Sequence, residues 1–406
     1  MVLLTKSRLK DRARAFASIV FAGTLIFILS GCETIPERNP LPLEQTKHAG
    51  IPGVPNARFW GDEWPKFGVK IIETYTEAQF RRHFSGVYDQ PHNYLAISGG
   101  GANGAFGAGL LVGWTASGTR PKFSMVTGIS TGALTAPFAF LGPDYDDELK
   151  QVFTTTKTTD IVEERMLLSA LFGDSVADTK PLRALIAKYV TADHIEAIGL
   201  EHKSGRRLFI GTVNLDAGRS VIWNIGAIAL SDYPHKLRLI HDVLQASAAI
   251  PIAFPPVVIP VEANGKRYDE LHVDGGTGSQ VFVYPAEADW RQVTKKLKVK
   301  GKPQVYVIRN AFLDPDYNEV KRSLLPIASR SIDSLIRTQG IGDLYQIFAL
   351  CQRDGNDFNL AYIPSAFTEK PSEGFDPVYM KKLFEFGHKK SVEGYPWEKS
   401  PPGFIN

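Results

Sequence analysis

The chain has 406 residues, of which 44% are hydrophobic and 22% charged, and a formal net charge of +3. This is an ordinary globular composition with length for one large domain or two, and it excludes a disordered or low-complexity protein. A balance so near neutrality gives nucleic acid no electrostatic footprint.

In chain order, Lys6, Arg8, Lys10, Arg12 and Arg14 precede an apolar run over 15–29 that ends in Leu29-Ser30-Gly31-Cys32. The run is shorter than the roughly 20 residues a membrane-spanning helix needs, so 1–31 reads as a signal peptide. Its last residues and Cys32 resemble the lipobox of bacterial lipoproteins, in which that thiol is acylated and becomes the new N-terminus. The resemblance implies a lipid anchor at Cys32, and Glu33 in place of aspartate implies the outer membrane of a bacterial envelope. Loss of 1–31 removes five basic residues and Asp11, leaving a charge of about −1. Acyl chains, not charge, then hold the protein to the membrane. Cys351, in an apolar stretch, is expected to be a buried small hydrophobe.

Segment 32–90 is expected to be a tether and N-terminal extension, with little fixed structure as far as Asn56 because Pro, Gly and charge recur there without a period. Region 91–290 carries the chemistry and 291–406 follows it. Short apolar runs at 94–97 and 123–126 predict buried strands, and 105–114 a close-packed helix. Strands are predicted at 207–213 and 220–225, and a helix at 236–249. Asn264-Gly265 between 257–261 and 267–273 signals a hairpin. A strand at 305–309, helix over 318–350 and 378–390, and a strand at 358–363 complete the pattern, with breaks expected at Pro326 and at Gly340 and Gly342. Strands alternating with helices predict an α/β fold with a mostly parallel central sheet and a mainly helical C-terminal extension. Leu324, Leu325, Ile327, Ile332, Leu335 and Ile336 are expected to face a core, although a mobile cover over a lipid site has the same pattern. The aromatic tail with Tyr395, Trp397 and Phe404 either packs or touches membrane.

Gly128-Ile129-Ser130-Thr131-Gly132 follows a strand and precedes a helix, the context a G-x-S-x-G nucleophile turn requires. Glycines flank the serine because the backbones on either side of so sharp a turn come too close for side chains. A serine needs a base, and Asp274 in His272-Val273-Asp274-Gly275-Gly276 leaves a strand on the sheet edge where Ser130 would lie if the strands are parallel. Ser98-Gly99-Gly100-Gly101 with Gly104 fits either an oxyanion loop or, as Gly99-x-Gly101-x-x-Gly104, a dinucleotide fingerprint. The latter wants a carboxylate at the end of the second strand, where this chain has Thr127 and Gly128.

The glycine loop, the serine turn, Ala246-Ser247-Ala248-Ala249-Ile250-Pro251 with Phe254-Pro255-Pro256, and Asp274-Gly275-Gly276 together resemble the patatin-like phospholipases over about residues 94–285. The resemblance implies a three-layer α/β/α sandwich and a cofactor-free, metal-free lipid acyl hydrolase. By the same resemblance Ser130 is nucleophile, Asp274 base, and Gly99, Gly100 and Gly101 the oxyanion loop. Gly104, Gly128, Gly132, Gly275 and Gly276 support those turns. Lipid or another acyl ester is the implied substrate. Asn103 stands where relatives carry a basic residue, which weakens the implied phosphate contact more than the ester cleavage. Two rivals remain: a Ser-His-Asp site using His272, and a lipid-anchored binding or scaffold protein without turnover. His235 and His241 are expected to be partly exposed helix residues.

Overall fold

The computed structural model describes residues 38–161, 163–164, 177–178, 180–315, 317 and 319–404. The signal peptide and Cys32 lie outside them. The chain forms β1 (Arg58–Trp60), α1 (Lys66–Thr74), α2 (Glu77–His83), β2 (Asn93–Ile97), α3 (Gly104–Ala116), β3 (Met125–Gly128), α4 (Thr131–Leu141) and α5 (Asp146–Thr155). It continues through α6 (Lys180–Tyr189), α7 (Ala192–Lys203), β4 (Arg207–Asn214), β5 (Arg219–Asn224), α8 (Ile225–Leu230), α9 (Lys236–Ser247), β6 (Val257–Ala263) and β7 (Lys266–Asp274). The last third adds α10 (Trp290–Lys296), β8 (Gln304–Phe312), α11 (Leu324–Asp354), β9 (Asp357–Ile363) and α12 (Pro377–Val392).

One nine-stranded sheet runs in the order β1-β5-β4-β3-β2-β8-β9, with β7 joined to β4 and β6 to β7. Its centre is parallel from β9 through β8, β2 and β3 to β4. A parallel strand must be covered on both faces, so its side chains divide between two cores. Leu95 and Ile97 of β2 join Leu208 and Ile210 against α3, α4, α9 and α12. Tyr94 and Ala96, on alternate positions, join Met125, Val305 and Val307 against the C-terminal half of α11. The result is a three-layer α/β/α sandwich with a mostly parallel sheet. Asn264 and Gly265 take positive φ, 51° and 76°, in the turn between β6 and β7, the conformation a two-residue hairpin demands.

Four expectations change. Residues 38–57 are not a loose tether: Leu41, Ile51, Val54 and Ala57 are buried, and Gly50 pairs with Glu262 of the hairpin. The segment is extended and fills one apolar position at a time, so it shows no period. Residues 291–406, expected as a mainly helical extension, also contribute to the central sheet, since β8 lies between β2 and β9. α11 runs unbroken from Leu324 to Asp354, because Pro326 falls in its first turn, where the missing N–H has no partner to lose. Gly340 packs where an added Cβ would meet the Arg309 guanidinium at 2.5 Å. Finally, the first half of α11 is not core: Leu324, Leu335 and Ile327 are 81%, 69% and 48% exposed.

The tail packs. Trp397 lies 4.9 Å from Trp114 and 5.0 Å from Tyr306, ring centre to ring centre. Cys351 is buried, which pushes its thiol up to about 12. His241 is buried with Nε2 2.7 Å from the Val190 carbonyl, while His235 is exposed. Among the described residues no helix is long and apolar enough to cross a membrane.

Candidate active site

Two strands meet head-on along one edge of β4. β3 covers that edge as far as Ile210, opposite Gly128. β7 arrives from the other direction, antiparallel, and ends with Asp274 opposite Thr212. Two residues beyond Gly128 is Ser130, and two residues beyond Ile210 is Thr212, so the serine turn and the aspartate converge at one level of the sheet. The strand bearing Asp274 is therefore antiparallel to its neighbour, and it reaches the expected edge by descending onto it from beyond.

The turn itself is strained. Ser130 has φ 54° and ψ −124°, a region that costs a non-glycine residue roughly 1–3 kcal/mol and that clusters at functional sites. An added Cβ on Gly128 would run into the Gly132 carbonyl, and one on Gly132 into the Ile97 carbonyl. α4 begins at Thr131, so Ser130 sits at the positive end of a helix. The Ser130 N–H donates to Ser247 Oγ at 3.0 Å, and that hydroxyl donates to the Gly211 carbonyl at 2.7 Å.

Ser130 and Asp274 are both nearly closed to solvent, at 6% and 4% exposure. Asp274 Oδ1 accepts the Gly276 N–H at 2.7 Å, while Oδ2 is buried without a hydrogen bond of good geometry. Burial pushes the Asp274 carboxyl up to about 7, against the opposing pull of the Ser130 hydroxyl and the Gly276 N–H. A carboxylate of that basicity can both take and return a proton near neutral pH. Gly275 packs so closely on β4 that an added Cβ would strike the Gly211 carbonyl.

His272 faces elsewhere. Its Nδ1 lies 2.9 Å from Thr212 Oγ1 and its Nε2 3.1 Å from Glu270, so both ring nitrogens are taken. Glu270 in turn receives the Arg58 guanidinium. Burial pushes the Glu270 carboxyl up, yet His272 and Arg58 outweigh it and hold the group at about 2. Burial lowers the His272 pKa from its ordinary value, against the opposing pull of Glu270.

In the glycine loop, the Gly99 N–H already donates to the Gln280 carbonyl at 3.2 Å. Gly99 thus departs from its expected oxyanion role. The N–H groups of Gly100 and Gly101 have no acceptor among the described residues. An added Cβ on Gly100 would strike the Asn310 carbonyl, and Gly101 has φ 55°. Gly104, at the start of α3, abuts Thr131, which ties the loop to the serine turn. Asn103 accepts the Tyr379 hydroxyl at 2.6 Å, which joins the glycine loop to α12.

Three residues given no role by the sequence motifs organise the site, although Ser247 lies within one of them. Besides Ser247, Gln280 donates Nε2 to the Gly276 carbonyl at 2.7 Å and its own N–H to Asp343 at 2.6 Å, which links the glycine loop, the Asp-Gly-Gly turn and α11. Asn310 closes the other side: its N–H donates to Ser98 Oγ at 2.9 Å, and its Oδ1 accepts the Gly107 N–H at 3.0 Å. A polar residue ending the apolar strand 305–309 was the one available signal for it. Among the described residues no cluster of side chains suits a metal ion.

Residues 95–287 match the family model of the patatin-like phospholipases. A crystal structure of VipD from Legionella pneumophila aligns with a TM-score of 0.38 and 14% identity over 75% of this chain and 67% of that one. No curated protein matches the chain. The strained serine turn, the glycine loop and the Asp-Gly-Gly turn all fall within the matched stretch, and residues 95–287 carry a patatin-like phospholipase domain.

Proposed function

We propose that the protein hydrolyses acyl esters of lipids through a Ser130–Asp274 dyad and an acyl-enzyme intermediate. The observation that carries this reading is the convergence of strained Ser130 with the buried carboxyl of Asp274, on which the serine hydroxyl acts, at one sheet edge. Asp274 takes the Ser130 hydroxyl proton as Oγ bonds to the ester carbonyl carbon. The carbonyl oxygen becomes an oxyanion facing the free N–H groups of Gly100 and Gly101 and the N-terminus of α4. Collapse breaks the bond to the alcohol, which leaves with the proton from Asp274. Water then repeats the sequence, with Asp274 as base, and releases the acid. The commitment of His272 to Glu270 and Thr212 supports a dyad over a triad.

Localisation belongs to the same proposal: acylation of Cys32 tethers the enzyme to a bacterial membrane, the outer one by the identity of Glu33. A fluorophosphonate probe tests the chemistry, because it reacts only with an activated serine. Labelling and ester turnover are both expected in the native protein and lost in a folded Ser130→Ala variant. Undiminished turnover in that variant overturns the nucleophile, and absence of labelling in the native protein favours a binding protein that retains the fold.

A further inference from the structure

β8 turns its side chains alternately to the two faces of the sheet. Val305 and Val307 join the core against the C-terminal half of α11, and Ile308 joins the opposite one. Arg309 returns to the α11 side, where Gly340 packs against its guanidinium. It lies outside the matched stretch 95–287.

Arg309 is only 2% exposed, and its Nε has no hydrogen-bond partner. The carboxylate that acts on it is Asp343, whose Oδ2 already accepts the N–H groups of Gln280 and Val281 at 2.6 and 3.3 Å. Burial lowers the Arg309 pKa to about 10, with Asp343 pulling the other way, so the side chain stays cationic at neutral pH. A buried cation needs acceptors close by, and those within its reach belong to the site.

Arg309 Nη1 donates to the Gly99 carbonyl at 3.5 Å and to Gln280 Oε1 at 3.4 Å. Both contacts are long, and a charge acts over such distances with less loss than a neutral donor. Ser98 Oγ donates to the same Gly99 carbonyl at 2.7 Å. That oxygen belongs to the peptide unit whose other end is the Gly100 N–H, which has no acceptor among the described residues. In a trans peptide the two groups point in opposite directions, so a cation and a hydroxyl that hold the carbonyl on one side aim the N–H to the other. Electron density drawn toward the oxygen also makes the N–H a stronger donor.

Gln280 carries the same restraint to the other half of the site. With Oε1 toward Arg309, its Nε2 donates to the Gly276 carbonyl at 2.7 Å, and the Gly276 N–H holds Asp274 Oδ1.

We propose that Arg309 is a positioning residue of the oxyanion loop: its guanidinium, seated on the Gly99 carbonyl, fixes the Gly99–Gly100 peptide so that the Gly100 N–H faces the reacting carbonyl oxygen. This role rests on the acyl-enzyme reading of Ser130.

Three variants test it. Arg309→Gln removes the charge, Arg309→Lys keeps the charge without the planar fork, and Gly340→Ala keeps the arginine but displaces its guanidinium. Active sites are counted with a fluorophosphonate, and kcat and KM are taken on nitrophenyl butyrate beside a thermal melt. Arg309→Gln is expected to lower kcat per active site roughly a hundredfold with KM nearly unchanged. Arg309→Lys should recover part of that loss, and Gly340→Ala should fall between native and Arg309→Gln. Affinity for an alkyl trifluoromethyl ketone, which forms an oxyanion on Ser130, should fall in step with kcat/KM, while affinity for the corresponding alcohol should not. An arginine that serves the fold alone predicts lower melting temperatures with kcat per active site and ketone affinity unchanged in every folded variant. That result overturns the proposal, and turnover that still depends on Ser130 leaves the hydrolase standing. Where neither Arg309 variant folds, Gly340→Ala decides by the same two readings. Turnover that survives Ser130→Ala sinks the nucleophile, and the role of Arg309 with it.

Discussion

The main-chain N–H of Ser130 rests on Ser247 Oγ at 3.0 Å, across 117 positions of sequence. Because Ser247 also donates to the Gly211 carbonyl, one buried hydroxyl fixes the serine turn to the strand that Asp274 joins. A strained turn holds its geometry only when its surroundings over-determine it, and Ser247 is the most direct restraint on this one.

Ser247→Ala leaves a buried N–H and a buried carbonyl without partners, which costs about 1–3 kcal/mol. The larger consequence is kinetic. With the turn free to relax, kcat is expected to fall roughly tenfold to a hundredfold while KM changes little. Enzyme kinetics beside a thermal melt separate the two effects, and an unchanged kcat in the folded variant removes Ser247 from the positioning of the nucleophile.

Asp274 and His272 are two residues apart on one strand and predicted to behave in opposite ways. Asp274→Asn cannot accept the serine proton, so turnover should drop by orders of magnitude. His272→Gln can still bond Glu270 and Thr212, and should retain most of its kcat at a temperature where it is folded. Equal loss in both folded variants contradicts the dyad.

Asp274 also sets a pH dependence with a definite sign. As a base with a pKa near 7, it gives a kcat/KM for an uncharged ester that rises with pH through about 7 and levels off above. In stability the sign is the reverse. The folded state holds the proton more tightly than the unfolded chain, whose value is about 3.9. Asp274 therefore favours folding below that value, and this preference is lost as pH rises toward 7, by an order-of-magnitude total of about 4 kcal/mol. Asp274→Asn should remove that slope, so its stability relative to the native protein should grow between about pH 4 and 7 and then flatten. Urea melts across this range measure the difference.

The local geometry of the site was legible in the sequence because sterics act between near neighbours. Gly128 and Gly132 are forced by a turn that places each against a carbonyl, and Asn264-Gly265 by a two-residue hairpin. What escaped was long-range. Gln280 and Asn310 act through hydrogen bonds to segments far away in the chain, and amides of this kind carry no local signature. The same limit explains residues 38–57, whose order comes from pairing with a distant hairpin. Helical periodicity, for its part, reports that α11 has an apolar face without saying whether anything covers it.

The N-terminal segment is tied to the body by charge as well as by packing. Arg58 on β1 and Glu270 on β7 form an ion pair with both side chains buried, and Arg58 also lies 5.6 Å from the Trp223 ring. Arg58→Ala leaves Glu270 buried without its guanidinium partner, and should destabilise by about 3–5 kcal/mol, read from urea midpoints at neutral pH. Glu270, held at about 2 in the folded protein, lies below its unfolded value of about 4.3. Its contribution is complete above that value and is lost as pH falls through about 2. A variant as stable as the native protein shows that the pair does not hold β1.

The glycine loop offers the sharpest contrast, because Gly100 and Gly101 present neighbouring N–H groups under different constraints. At Gly101 the space for a Cβ is open, but φ is 55°, so Gly101→Ala asks the new residue to hold a left-handed conformation, at a cost of about 1 kcal/mol. That strain is small against the fold and large against the placement of a donor. kcat is expected to fall roughly 100- to 1,000-fold, with KM and melting temperature nearly unchanged. At Gly100 the Cβ meets the Asn310 carbonyl, and Asn310 holds both Ser98 and the start of α3. Gly100→Ala should therefore lower kcat and stability together. A dinucleotide cradle predicts something else: native protein stabilised against heat by added NAD or FAD through mass action. Such a shift, together with unchanged acylation in Gly101→Ala, shows that the loop holds a pyrophosphate and not an oxyanion.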